Sequence, residues 1–226
     1  MSSSRKDFEI FLYKNKFNQK SLMDIVGSLR NTTIACILND LQQEQEPLEN
    51  DANSIYVFTD GGCSKNGKAD SKAGYSVLFS TDEDSTLYEF NTTRLVVREP
   101  TNNKAELSAI RYVFKIVLEN VNLFQNKSVI ICTDSMYSIN CVDKWSKGWI
   151  KNNWKNAKGE DVKNQDIIKN ILKLKDDINN SNKNIQISFN HVFSHTQEPS
   201  DTKSLKYFFW NGNNIVDENI KKILNL

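Results

Sequence analysis

A mixed α/β domain, with five strands and helices on both faces of the sheet, is what the order of apolar patterns along this chain predicts. Two observations carry that reading. Three short runs rich in β-branched and aromatic residues fall between positions 55 and 95, separated only by polar turns. After them, long stretches with apolar residues at helical spacing alternate with two further runs of the same strand-like kind. Strands joined by turns pair as hairpins, while strands separated by helices need crossovers, so the sheet is mixed. A small helical appendage precedes it.

In chain order, Leu22, Ile25, Val26, Leu29, Ile34, Ile37, Leu38 and Leu41 recur at three- and four-residue steps. Residues 1–42 therefore read as one or two amphipathic helices. A self-packing appendage is the plainer reading, and an element that docks a protein partner the sharper one. Residues 43–54 are polar, acidic and aperiodic, which suits a linker. The main domain then runs over 55–226. Its strands are expected at 55–59 (IYVFT), 73–80 (AGYSVLFS), 87–95 (LYEFNTTRL), 128–133 (SVIICT) and 185–192. Helices are expected at 102–120, where Ala105, Leu107, Ile110, Val113, Phe114, Val117 and Leu118 keep helical spacing, and at 135–145, 162–174 and 213–224.

Composition narrows the function. The 226 residues carry 29 Lys and Arg against 28 Asp and Glu, a formal charge of +1. That excludes nucleic-acid binding by bulk charge alone, and equally an acidic disordered chain. No run of eighteen apolar residues exists, so no membrane partner is expected. The N-terminal MSSSRKDFEIFLYKNK lacks a secretory signal, so the chain is expected inside the cell, cytoplasmic or nuclear, with Cys36, Cys63, Cys132 and Cys141 reduced. With no C-x-x-C pair and only His191 and His195, a structural zinc site is not expected.

The chemistry gathers where strands stop. Asp60 closes the first strand and Asp134 the fourth, at the strand ends where open α/β sheets place their ligands. Glu106 lies in the first turns of the long helix and Asp217 on the last one. Taken singly, each is an ordinary turn or capping residue. Taken together, crowded carboxylates repel unless cations sit among them. Hard oxygen ligands without His or Cys suit Mg²⁺ or Mn²⁺. Two such ions, roughly 3.5–4 Å apart, would clamp the attacking and leaving oxygens of a phosphoryl displacement.

A second pattern lies at 144–163, KWSKGWIKNNWKNAKGEDVK. Six lysines, among them Lys147, Lys151 and Lys155, face two acids there, a net +4 in a chain of +1. Trp145, Trp149 and Trp154 are three of the four tryptophans. Cations interleaved with planar rings suit a phosphate backbone flanked by sugars and bases. The plainer alternative is a solvated helix and loop whose rings turn inward.

Thr59-Asp60-Gly61, Asn103-Lys104-Ala105-Glu106-Leu107, Thr133-Asp134-Ser135 and Gly212-Asn213-x-x-x-Asp217 resemble, in order, the four signature segments of type 1 ribonuclease H. The resemblance covers about residues 55–224 and implies a ribonuclease H-like fold. It also implies Mg²⁺-dependent cleavage of the RNA strand of RNA/DNA hybrids, with Mn²⁺ as a substitute, leaving 3′-hydroxyl and 5′-phosphate ends. By match, Asp60, Glu106, Asp134 and Asp217 would be the metal ligands, and His195 the mobile-loop histidine that assists proton transfer or product release. Residues 144–163 look like the family's basic protrusion. Tyr137, Trp145 and Trp149 match its DNA-strand channel, and Asn164 with Thr101 its phosphate pocket. The turn Cys63-Ser64-Lys65-Asn66-Gly67, with Asn102, matches the backbone and side chains that sense ribose 2′-hydroxyls.

The chain departs from the family at three places. Glu99 stands two residues before Thr101, where an Arg is usual, so a weaker grip on the DNA strand is expected. The segment TQEPSDTKSLKYFFWN between His195 and Gly212 is longer than the usual glycine-bearing loop, and its aromatic run is expected to anchor the far end on the core. Residues 1–42 lack the pattern of a hybrid-binding domain. Two other readings compete: a DNA-cutting transposase, integrase or resolvase of the same fold, and a non-catalytic hybrid binder. The tryptophan-rich protrusion and the Asn66 turn argue against the first, and four intact carboxylates against the second.

Overall fold

The computed structural model describes residues 53–194 and 196–226. The expected helices in residues 1–42, the linker up to residue 52, and His195 lie outside the described residues. Among those described, 53–198 and 209–226 belong to one compact unit and 199–208 to a second.

The larger unit is built on five strands: β1 (Ser54–Ser64), β2 (Lys72–Leu78), β3 (Thr92–Val96), β4 (Ser128–Thr133) and β5 (Gln186–His191). They lie in the order β3-β2-β1-β4-β5. The β1–β2 and β2–β3 pairs are antiparallel, and the β1–β4 and β4–β5 pairs parallel. The mixed sheet expected from three hairpin-connected strands and two crossover strands is what forms. β4 sits between two partners, and its Val129, Ile131 and Cys132 are wholly buried, as a near-continuous apolar run in a parallel pairing should be.

Helix α1 (Asn102–Glu119) opens on Thr101, whose hydroxyl accepts the Lys104 N–H at 3.2 Å, a standard N-cap contact. Its Leu107, Ile110, Val113, Phe114 and Val117 are fully buried in a core shared with Val57 and Val77 of the sheet. After β4, α2 (Met136–Ile139) passes through a wide π turn at Asn140–Trp145 into α3 (Ser146–Lys151). Helix α4 (Gln165–Asn179) buries Ile167, Ile168, Ile171 and Ile178 in the same core. Helix α5 (Leu205–Leu224) packs through its later turns on the opposite face, where Gly212 meets the Phe58 ring and Ile220 meets Gly62. Side chains alternate across a strand, so Val57 and Gly61 serve the α1 face while Phe58 and Gly62 serve the α5 face. In the second unit, Ser204 Oγ accepts the Tyr207 N–H at 3.1 Å and donates to the Asp201 carbonyl at 2.7 Å.

Four elements differ from expectation. β1 does not stop at Thr59. Its polar TDGGCS half stays extended because the antiparallel register with β2 continues from Phe58 opposite Leu78 to Ser64 opposite Lys72. Residues 88–90 form a 3₁₀ turn rather than strand. Asn91 closes that turn, its Oδ1 accepting the Phe79 N–H at 2.6 Å and its amide donating to the Ser80 carbonyl at 2.7 Å. Val162, expected at a helix start, instead gives its N–H to the Trp154 carbonyl at 3.0 Å, and the helix begins three residues later. The closing helix begins at Leu205 and takes in the aromatic run expected as loop. Phe209 is buried against Tyr56 and Phe58, with ring centroids at 5.6 and 6.3 Å.

Candidate active site

The parallel β1–β4 register ends with Phe58 opposite Cys132. Asp60 and Asp134 each lie two residues past that last pair, Asp60 within β1 and Asp134 just beyond the end of neighbouring β4. Glu106 comes from the first turns of α1. It reaches Asp60 because β1 carries glycine at 61: a β-carbon there would stand 2.2 Å from the Glu106 nitrogen and 2.5 Å from the Ala105 carbonyl carbon. No side chain fits in that space, so Gly61 sets the distance between strand and helix. Gly212 does the same for α5, where a β-carbon would lie 2.4 Å from the Phe58 ring.

As a result, Asp60, Glu106 and Asp134 each offer a carboxylate oxygen within 4.8 Å of the others. Asp60 and Glu106 are only 8% and 4% exposed. Burial, then the Asp134 charge, raises Asp60 from 3.8 to about 7, against the Gly61 N–H that donates to its Oδ1 at 2.7 Å. Glu106 is pushed well above the usual carboxylate range by burial and by the charges of Asp60 and Asp134. Its Oε2 is buried with no hydrogen-bond partner. Two carboxylates that burial and repulsion drive toward protonation, one with an orphan oxygen, and a third within reach of both fit a hard divalent cation. Oxygen ligands at roughly 2.0–2.6 Å from a shared ion lie within about twice that distance of each other.

The Asp134 carbonyl is fixed independently of its carboxylate. It accepts the Met136 N–H at 3.1 Å and His191 Nε2 at 3.2 Å. Since a carbonyl only accepts, His191 Nε2 carries the proton there. Asp217 lines the same cavity of about 490 Å³ but stands outside the three-carboxylate cluster. Its Oδ2 lies 2.7 Å from Lys221 Nζ. Cys63 and Asn102, expected at the ribose, line this cavity as well.

The remaining predicted contacts divide into two groups. Lys65 and Asn66 are exposed in the β1–β2 turn, Lys65 paired with Asp70 and Asn66 Oδ1 accepting the Asn102 N–H at 3.4 Å. Glu99, in the left-handed region at φ 47°, pairs with Lys104 at 2.6 Å. The position that carries Arg in the family is thus an anion bound to its own helix. In the second group, Tyr137, Trp145, Trp149 and Trp154 form a continuous run of rings, with successive centroids 6.1, 5.8 and 6.2 Å apart. Asn164 donates to the Tyr137 hydroxyl at 3.2 Å. Lys147 and Lys151 are exposed beside these rings in sequence, whereas Lys155 is paired with Asp161 at 2.8 Å. Trp149 and Trp154 also pack on the core, while Trp145 stays exposed, so the surface and core readings of the tryptophans each hold for part of the set.

Sequence reasoning missed Asn213, Lys221 and Lys169. Asn213 lines the cavity with a buried, unpartnered Oδ1, and its place within the Gly212–Asp217 segment was the available signal. Lys221 could have been found from its i+4 spacing to Asp217. Lys169, whose ammonium sits 4.8 Å from the Trp154 ring centroid, left no signal, because the pair forms between α4 and a loop.

The sequence pattern of the family described as RNase H matches residues 52–224. Ribonuclease HI of Neisseria meningitidis serogroup B is 35% identical over 121 residues, covering 52% of this chain and 72% of that protein. Mouse Ribonuclease H1 is 31% identical over 114 residues, covering 50% of this chain but only 36% of its own length. The chain thus spans about a third of the mammalian relatives it matches. Among solved structures, the RNase H domain of PFV superposes with a TM-score of 0.51 at 19% identity, covering 76% of this chain and 94% of that one. A foamy viral protease–reverse transcriptase in complex with dsDNA gives 0.52 at 21%, covering 75% and 93%. At these identities the structural matches establish the fold.

Proposed function

Because the chain belongs to the ribonuclease H family, and within it resembles type 1, we propose that it hydrolyses the RNA strand of RNA/DNA hybrids, with Mg²⁺ as cofactor and Mn²⁺ as its substitute, leaving 3′-hydroxyl and 5′-phosphate ends. The observation that carries this reading is the convergence of Asp60, Glu106 and Asp134 within 4.8 Å in a cavity that leaves a Glu106 oxygen unpartnered. These three would hold the metal, with Asp217 as the fourth ligand from the wall of the same cavity. Held by these residues, a pair of divalent ions would supply Lewis acidity toward the phosphodiester and the charge to activate a water.

The rest is the work of the chain. Gly61 sets the approach of α1, and the Asp134 carbonyl contacts fix the backbone from which its carboxylate projects, before any ligand arrives, so less reorganisation is left for the reaction. Tyr137, Trp145 and Trp149 give flat surfaces for the sugars of the DNA strand, and Lys147 and Lys151 give charge for its phosphates. The Thr101 hydroxyl and the Asn164 amide are the polar groups for a phosphate between these surfaces. The Cys63–Asn66 turn, tied to Asn102, faces the strand whose 2′-hydroxyls mark it as RNA. His195 is assigned proton transfer or product release from its match to the family loop.

The test is a labelled RNA/DNA hybrid, with duplex DNA and duplex RNA as controls, each with and without Mg²⁺. Cleavage of the hybrid's RNA strand only, and only with the metal, is expected. Cleavage of duplex DNA, or hybrid binding without cleavage, would overturn the proposal.

A further inference from the structure

Lys221 lies one turn beyond Asp217 on α5, on the wall of the cavity that holds the carboxylates. Its ammonium stands 2.7 Å from Asp217 Oδ2 and 3.0 Å from Glu218 Oε1. Of the four carboxylates that match the family's signature segments, Asp217 is the one outside the 4.8 Å cluster, and it is the one an ammonium holds. We propose that Lys221 is a positioning residue: a resident cation that holds Asp217 in the metal-free protein and has to yield it when a divalent ion binds. The inference rests on the metal-site reading above.

The physical case is competition for one carboxylate. An ammonium and a divalent ion that share a carboxylate within a few ångströms repel each other. Asp217 therefore cannot give full weight to both. Asp217 and Lys221 both line the cavity that holds the cluster. Glu218 gives the lysine a second partner. At i+3 and i+4 spacing, Lys221 can leave Asp217 and keep Glu218 by side-chain rotation alone, without moving the helix.

The experiment follows the thermal unfolding of the full chain through a Mg²⁺ titration and reads the Mg²⁺ concentration at half of the total shift. Lys221→Met should lower that midpoint about two- to fivefold, within the strength of a solvent-facing ion pair. Lys221→Arg should keep the wild-type midpoint. Glu218→Gln should raise it, because the ammonium is then left to Asp217 alone. In an Asp217→Asn background, Lys221→Met should shift it no further, as expected when two residues act through one contact. A wild-type midpoint in Lys221→Met would overturn the clamp. So would an undiminished shift in the Asp217→Asn background, which would mean the lysine acts on Asp60 through space. If Mg²⁺ does not stabilise the wild-type chain at all, the metal-site reading falls and the clamp falls with it.

Discussion

The carboxylate cavity and the tryptophan–lysine surface both gather like charges, and they handle the repulsion in opposite ways. In the cavity, Asp60 and Glu106 are buried beside Asp134, and burial raises their proton affinity instead of dispersing the charge. On the surface, Lys147 and Lys151 stand in water, and Lys155 already has Asp161. Water screens the second group at little cost, whereas the first is left incomplete without a cation. The region strained in the free protein is therefore the one built for a small, doubly charged ligand. The relaxed region suits a long polyanion held by many weak contacts.

The sharpest way to break this comparison is Asp134→Asn. Cleavage should fall by roughly 10²-fold or more, on the scale of losing a principal transition-state group. Hybrid binding should survive, and the metal-free melting temperature should hold or rise because a repulsive charge is gone. Residual cleavage above a tenth of wild type would show that the cavity does not depend on its full charge.

Next comes Gly61→Ala. Its β-carbon would have to enter space held by the Glu106 backbone. A loss of at least ~1–3 kcal/mol in denaturant unfolding is expected, together with weaker Mg²⁺ binding, since α1 must move and carry Glu106 with it. Unchanged stability would mean that strand and helix can separate freely.

The surface should respond more gently. Changing Lys147 and Lys151 together to Ala should reduce the slope of log affinity against log salt for hybrid by about 2, leaving turnover at saturating hybrid alone. Lys155→Ala should change the slope by less than a single free phosphate contact, because Asp161 already occupies that charge. An equal effect from Lys155 would show that its ion pair opens on binding.

The smallest expected effect separates the regions by pH. Asp60 binds its proton more tightly folded than unfolded, so its favourable contribution is complete below about 3.8 and is lost as pH rises to about 7. With a chelator present, Asp60→Asn should therefore gain on wild type across that window. By neutral pH the gain should reach at least about 2–4 °C, the shift that ~1 kcal/mol gives a chain of this size. Mg²⁺ should cancel the gain. A flat difference across the window would mean that Asp60 is not under strain.

The sequence by itself determined the five strands, the long helix and the four acidic segments in their order, because apolar periodicity and short motifs are local properties. It also showed the clustering of lysines and tryptophans within twenty positions of each other, but left open which of the rings turn inward. Tertiary structure alone decided what depends on partners distant in the chain. The polar half of β1 is strand because β2 pairs with it, and residues 88–90 are a 3₁₀ turn that Asn91 closes against Phe79 and Ser80. Gly61 matters because α1 happens to pass over it. Three of the four acidic residues meet and the fourth is held by Lys221. Motif order brings the carboxylates to one cavity, but which charges touch is settled by packing distances of a few ångströms, over which electrostatic and steric energies change most steeply.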